Sequence, residues 1–98
     1  MAETYDYESI TVAATAIGFT AAKLAPSNSD TPEMAVCTLE TGQIRYRVDG
    51  TDPTSAEGHI LNPGDSLIVD SLHDLKNFKA IRTGSTSGIL KVSYTRGR

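Results

Sequence analysis

Tryptophan is absent, cysteine occurs once and histidine twice, and no apolar run exceeds a few residues. A single thiol, Cys37, permits no internal disulfide and no multi-cysteine metal site, so a small domain of this kind must rely on packing and partners. The short apolar runs predict no membrane span, and Glu3, Asp6 and Glu8 stand where a signal peptide would carry Lys or Arg. The net charge of −3 supplies no basic footprint for nucleic acid. Acid is concentrated early, since the first 33 residues carry five carboxylates against Lys23 alone.

The chain has 98 residues, of which only 21 are Leu, Ile, Val or Phe. That composition allows one thin core, with no room for a second domain or a large internal cavity. A chain this short buries only a little over about 60 % of its unfolded surface, so stabilising neighbours and a homo-oligomer are expected.

Twelve Thr and nine Ser are interspersed with β-branched aliphatics, and Gly and Pro punctuate at short intervals. The pattern predicts sheet. Residues 1–7 have no apolar period and read as an extended amino-terminal arm ahead of a single β domain over residues 8–98; Ile10 and Val12 open its first strand. The Ala-rich stretch 13–25 lacks a helical period and is read as strand near 16–22, followed by a loop over 26–32. Met34–Glu40 and Gln43–Val48, separated by Thr41-Gly42, read as a β-hairpin. Cys37 and Leu39 share one of its faces; Ile44, Tyr46 and Val48 point inward, with Arg45 and Arg47 outward. Strands at His59–Leu61, Ser66–Asp70, Phe78–Arg82 and Ile89–Thr95 follow. Asn62-Pro63-Gly64-Asp65 reads as a tight turn, and Ser71 with Asp74 as a cap for one helical turn. Seven or eight short strands with no long helix predict an all-β fold, a small antiparallel β-sandwich or jelly-roll-like barrel.

Chemistry-bearing residues are few. Cys37 falls on the core face of its strand, where a thiol is inert. His59 reads as a strand-end residue, and no nucleophile elbow surrounds any serine. Asp65, Asp70, His73 and Asp74 lie close in sequence, but turn and capping duties account for them and no metal motif is present. The Gly-bearing loops lack a phosphate-binding Lys. No catalytic, metal or cofactor site is expected. The candidate interface residues are Tyr5 and Tyr7, as low-entropy aromatic anchors on the arm, and Arg45 and Arg47, as guanidinium groups able to pair with carboxylates on an acidic surface. Lys79, Arg82 and Lys91 would extend that basic face if their strands were neighbours.

Two resemblances arise at Ile44–Thr54. Locally, Tyr46-x-x-Asp49-Gly50-Thr51-x-Pro53-Thr54 is similar to the strand-and-turn motif of immunoglobulin-like accessory domains of chitobiase-type glycosidases. More widely, Ile44–Thr54, Gly58-His59-Ile60-Leu61, Pro63-Gly64-Asp65, Asn77–Gly84 and Val92-Ser93-Tyr94 resemble small all-β virion proteins of tailed bacteriophages. The second resemblance implies a non-enzymatic cement or head-decoration protein, made in the host cytoplasm and incorporated into the virion. Its expected partners are the major capsid protein or another virion protein, not nucleic acid or membrane. The alternative is a carbohydrate-binding or adhesion module, disfavoured because Trp is lacking and Phe19, Phe78, Tyr46 and Tyr94 read as core-directed or strand-borne, which leaves few stacking platforms.

Overall fold

A computed structural model describes residues 3–24 and 31–97. Seven strands run through it: β1 (Glu3–Val12), β2 (Thr31–Thr41), β3 (Ile44–Arg47), β4 (His59–Leu61), β5 (Ser66–Val69), β6 (Lys79–Arg82) and β7 (Gly88–Gly97). A 3-10 turn (Ala21–Leu24) and one short helix, α1 (Leu72–Asn77), complete the order. The strands form two antiparallel sheets, β1-β7-β2-β5 and β4-β3-β6. This is the small β-sandwich that the alternation predicts.

Alternation sets the faces. Ala35, Cys37 and Leu39 of β2 are buried with Leu90, Val92 and Tyr94 of β7, and Ile44 and Ala80 close the core from the smaller sheet. Phe78, just before β6, stacks on Phe19 with ring centroids 4.3 Å apart, and Phe19 meets the Tyr94 ring edge-on at 5.7 Å. Each such aromatic pair contributes about 0.5–1.5 kcal/mol beyond its area burial.

The expected hairpin does not form. β2 lies between β7 and β5 in one sheet, and β3 lies between β4 and β6 in the other, so Thr41-Gly42-Gln43 carries the chain across the sandwich. Side by side, the two apolar faces would leave one sheet without a lid; crossing lets them face each other. Gly88 makes the close approach possible, because a Cβ there would come within 2.7 Å of Ile44 Cγ2 and 3.1 Å of Leu39 Cδ1. Thr41 takes a positive φ of 68° at the crossing.

Residues 16–22 are not a strand. Ile17 makes one antiparallel bridge to Ala80, and Arg82 N–H donates to the Ala13 carbonyl at 3.0 Å, so this segment covers the outer edge of β6. An uncovered edge invites pairing with other chains. The segment then brings Phe19 into the core and ends in the 3-10 turn.

The arm is also joined to the domain. Residues 3–7 are extended, as expected, but form the first half of β1 and pair with β7 from Glu3 opposite Arg96 onward. A register shift between Thr4 and Asp6 marks a bulge, and the Tyr5 hydroxyl donates to the Lys23 carbonyl at 2.6 Å. Asp6 forms an ion pair with Lys23 at 3.0 Å, tying the 3-10 turn to β1. Met1 and Ala2, and most of the loop expected over 26–32, fall outside the described residues; Thr31 and Pro32 already belong to β2.

The remaining local signals appear as turn and cap. Asp65 N–H donates to the Asn62 carbonyl at 2.9 Å, with Gly64 at φ 93°, as a Pro-Gly turn requires. Ser71 Oγ accepts from Asp74 N–H at 3.1 Å and starts α1.

Candidate interaction surfaces

Register carries side chains across strands into rows. On the outer face of the four-stranded sheet Tyr7 of β1 lies opposite Ser93 of β7, Ser93 opposite Val36 of β2, and Val36 opposite Ile68 of β5. Tyr7, Val36 and Ile68 are 53 %, 37 % and 58 % exposed, so one row holds three of the five exposed large apolar side chains among the described residues. The next row is Ser9, Lys91, Thr38 and Ser66; beyond it come Thr11, Ile89 and Glu40. One Lys and one Glu therefore leave these three rows without net charge, hydroxyl-rich and crossed by an apolar stripe.

Of the four candidate interface residues only Tyr7 stands on that stripe. Tyr5 turns inward at the bulge, packing 6.3 Å from the Tyr94 ring. Arg45 and Arg47 lie on the outer side of the three-stranded sheet, as alternation places them, and both are engaged within the chain. Arg45 Nη1 donates to the Gly58 carbonyl at 2.7 Å and Nε to the Ser55 carbonyl at 3.2 Å, holding the loop 48–58 over the sheet. Arg47 makes a two-pronged pair with Asp49, at 2.5 and 3.1 Å, which raises the guanidinium pKa and holds the carboxylate below its ordinary value. Lys79 is across from Arg47 on β6, whereas Lys91 belongs to the other sheet. The wider basic face is therefore divided between two layers.

Cys37 is fully buried and burial pushes its thiol up to about 12, opposite to the shift a nucleophile needs. His73 is largely exposed beside Asp74 at 3.3 Å, and Asp65 accepts from Asn62 N–H at 2.9 Å. Among the described residues no group of three or more His, Cys, Asp or Glu is placed to hold a metal. Sequence reading missed Glu8. Its carboxylate turns inward and accepts from the Tyr94 hydroxyl, from Thr20 Oγ1 at 2.5 Å and from Thr20 N–H at 3.2 Å. The signal was present in the alternation, which puts Glu8 on the same face as Ile10 and Val12.

Two clefts are formed by the loop 48–58. One, about 300 Å³, is lined by Arg47, Val48, Asp49, Glu57, Gly58 and His59. The other, about 450 Å³, lies among Pro53, Thr54, Ser55, Ile81, Arg82 and Gly84. Of the six aromatic side chains only Tyr7 is exposed, a single ring where glycan stacking commonly uses a platform. No protein-family model, no curated protein and no solved structure matches the chain.

Proposed function

We propose that this chain is a non-enzymatic structural component of a tailed-bacteriophage virion, a cement or decoration protein that seats the outer face of its four-stranded sheet on the head shell. The observation that carries the reading is the Tyr7–Ser93–Val36–Ile68 row, where exposed apolar groups from three strands stand together on one face of the sheet. A row of that kind suits burial against another protein. The sequence resemblance to small all-β virion proteins supplies the class of partner, the major capsid protein or another shell protein.

Size supports repeated attachment. Four strands about 4.8 Å apart, rising about 3.3 Å per residue, give a face of roughly 500 Å². That is below the roughly 800 Å² per partner of a stable complex, so firm seating calls for several copies acting together, as in a homo-oligomer.

The test is occupancy on purified particles. Quantitative mass spectrometry is expected to find the chain at many copies per particle, and absence from particles overturns the proposal. A Tyr7→Ser, Ile68→Glu variant is expected to fold normally and to lose at least tenfold in binding to stripped particles. Unchanged binding by the folded variant overturns the assigned face.

A further inference from the structure

We propose that β1 is a self-pairing edge, on which a second copy of this chain adds antiparallel about Ser9 and joins two four-stranded sheets into a continuous sheet. Backbone direction points to it. In β2 the Leu39 N–H donates to the Asp65 carbonyl at 3.1 Å and the Leu39 carbonyl accepts from Gly64 N–H at 2.8 Å, both on the β5 side. Alternation then turns the backbone groups of Val36, Thr38 and Glu40 toward β7, where they face Ser93, Lys91 and Ile89. The intervening Leu90, Val92 and Tyr94 turn theirs toward β1 and meet Ile10, Glu8 and Asp6. Tyr7, Ser9 and Thr11 are left with their backbone groups on the open edge. Asp6 Oδ1 takes the Tyr7 N–H at 2.8 Å, whereas no hydrogen bond among the described residues reaches the Ser9 or Thr11 backbone on that side.

The other edges of the two sheets are blunted. Residues 13–17 cover β6, and β4 and β5 are only three and four residues long. Covered or short edges resist pairing. β1 runs for ten residues, and from Tyr7 to Val12 it carries no Lys, Arg or Pro; Glu8, the carboxylate of that stretch, is turned inward onto Tyr94 and Thr20. The stretch is also complementary to itself. With two copies antiparallel about Ser9, each Ser9 exchanges both backbone bonds with its counterpart, Thr11 N–H meets the Tyr7 carbonyl, and the Tyr7 N–H stays with Asp6. Tyr7 then lies across from Thr11, an aromatic against a β-branched side chain, and Glu8 across from Ile10, so no like charges oppose. A twofold axis normal to the sheet closes the pair and keeps both Tyr7–Ile68 rows on one side. The pairing rests on the backbone edge and does not depend on the virion reading.

The experiment is analytical ultracentrifugation of the intact chain over a concentration series, beside Ser9→Lys, Ile68→Glu, Ser9→Cys and Thr38→Cys. Ser9, Thr38 and Ile68 are exposed, so these variants are expected to fold. The chain is expected to pass from monomer to dimer in the micromolar range. Ser9→Lys, which sets two ammonium groups against each other at the axis, is expected to weaken the dimer at least tenfold, and Ile68→Glu to leave it unchanged. Bonded residues directly opposed in an antiparallel pair lie about 5.5 Å apart at Cα, within disulfide reach. Under mild oxidation Ser9→Cys is therefore expected to cross-link two copies at least tenfold faster than Thr38→Cys. A chain that stays monomeric at about 1 mM, a closed trimer, a dimer lost in Ile68→Glu but kept in Ser9→Lys, or equal cross-linking of the two cysteine variants overturns the proposal.

Discussion

The Tyr94 hydroxyl donates to the Glu8 carboxylate, joining positions 86 residues apart in the chain. Tyr94 is fully buried, and its pKa is driven upward by burial, then by the hydrogen bond to Glu8 and its charge. The bond fixes the β1 end of the sheet against the aromatic cluster, where Thr20 also donates to the same carboxylate.

Tyr94→Phe keeps the ring packing and removes the donor. A hydrogen bond to a charged group is worth about 1.5–3 kcal/mol, and that loss is expected in urea unfolding. Glu8→Gln is expected to cost less, since an amide oxygen still accepts. The double variant should cost less than the two single losses added, with a coupling of about 0.5–3 kcal/mol. Strict additivity would show that the two groups do not act as a unit.

Cys37 makes alkaline stability predictable in sign. Its folded pKa, about 12, lies above the roughly 8.5 of a free thiol, so folding favours the protonated form. The stabilisation is complete below the unfolded value and is lost as pH rises from there through about 12. Tyr94 shifts in the same direction, so Cys37→Ala is expected to reduce the alkaline slope without abolishing it. Thermal melts between neutral pH and pH 11 test this. A disulfide-exchange reagent at pH 8 should label the thiol only as fast as the protein opens.

Arg45 and Arg47 separate by their partners. Arg45→Glu removes the donors to the Ser55 and Gly58 carbonyls and sets a carboxylate against them, with an expected loss of about 1–3 kcal/mol. Arg47→Glu breaks a solvent-screened pair with Asp49 and is expected to cost less than Arg45→Glu. Denaturant midpoints of the two variants check the order. Equal losses would mean that the 48–58 loop is not held by Arg45.

Alternation in the sequence determined which face of each strand is buried: Cys37 with Leu39, Ile44 against Arg45, and Leu90 with Val92 and Tyr94 all lie as a period of two requires. Turn and cap chemistry determined the Asn62–Asp65 turn and the start of α1 at Ser71, because each depends on contacts within a few residues. Only the tertiary structure decided which strands pair. The crossing at Thr41-Gly42, the joining of residues 3–7 to β7, the use of residues 13–17 to cover β6 and the inward bond of Glu8 all depend on partners distant in sequence. The same holds for the interaction surfaces. Tyr7, Val36 and Ile68 become one row through pairing register, and the cleft beside Ile81 exists because the loop 48–58 folds over a sheet whose strands come from distant parts of the chain. Local periodicity encodes orientation, whereas partner choice is settled by which long-range pairings bury the most apolar surface while satisfying the backbone.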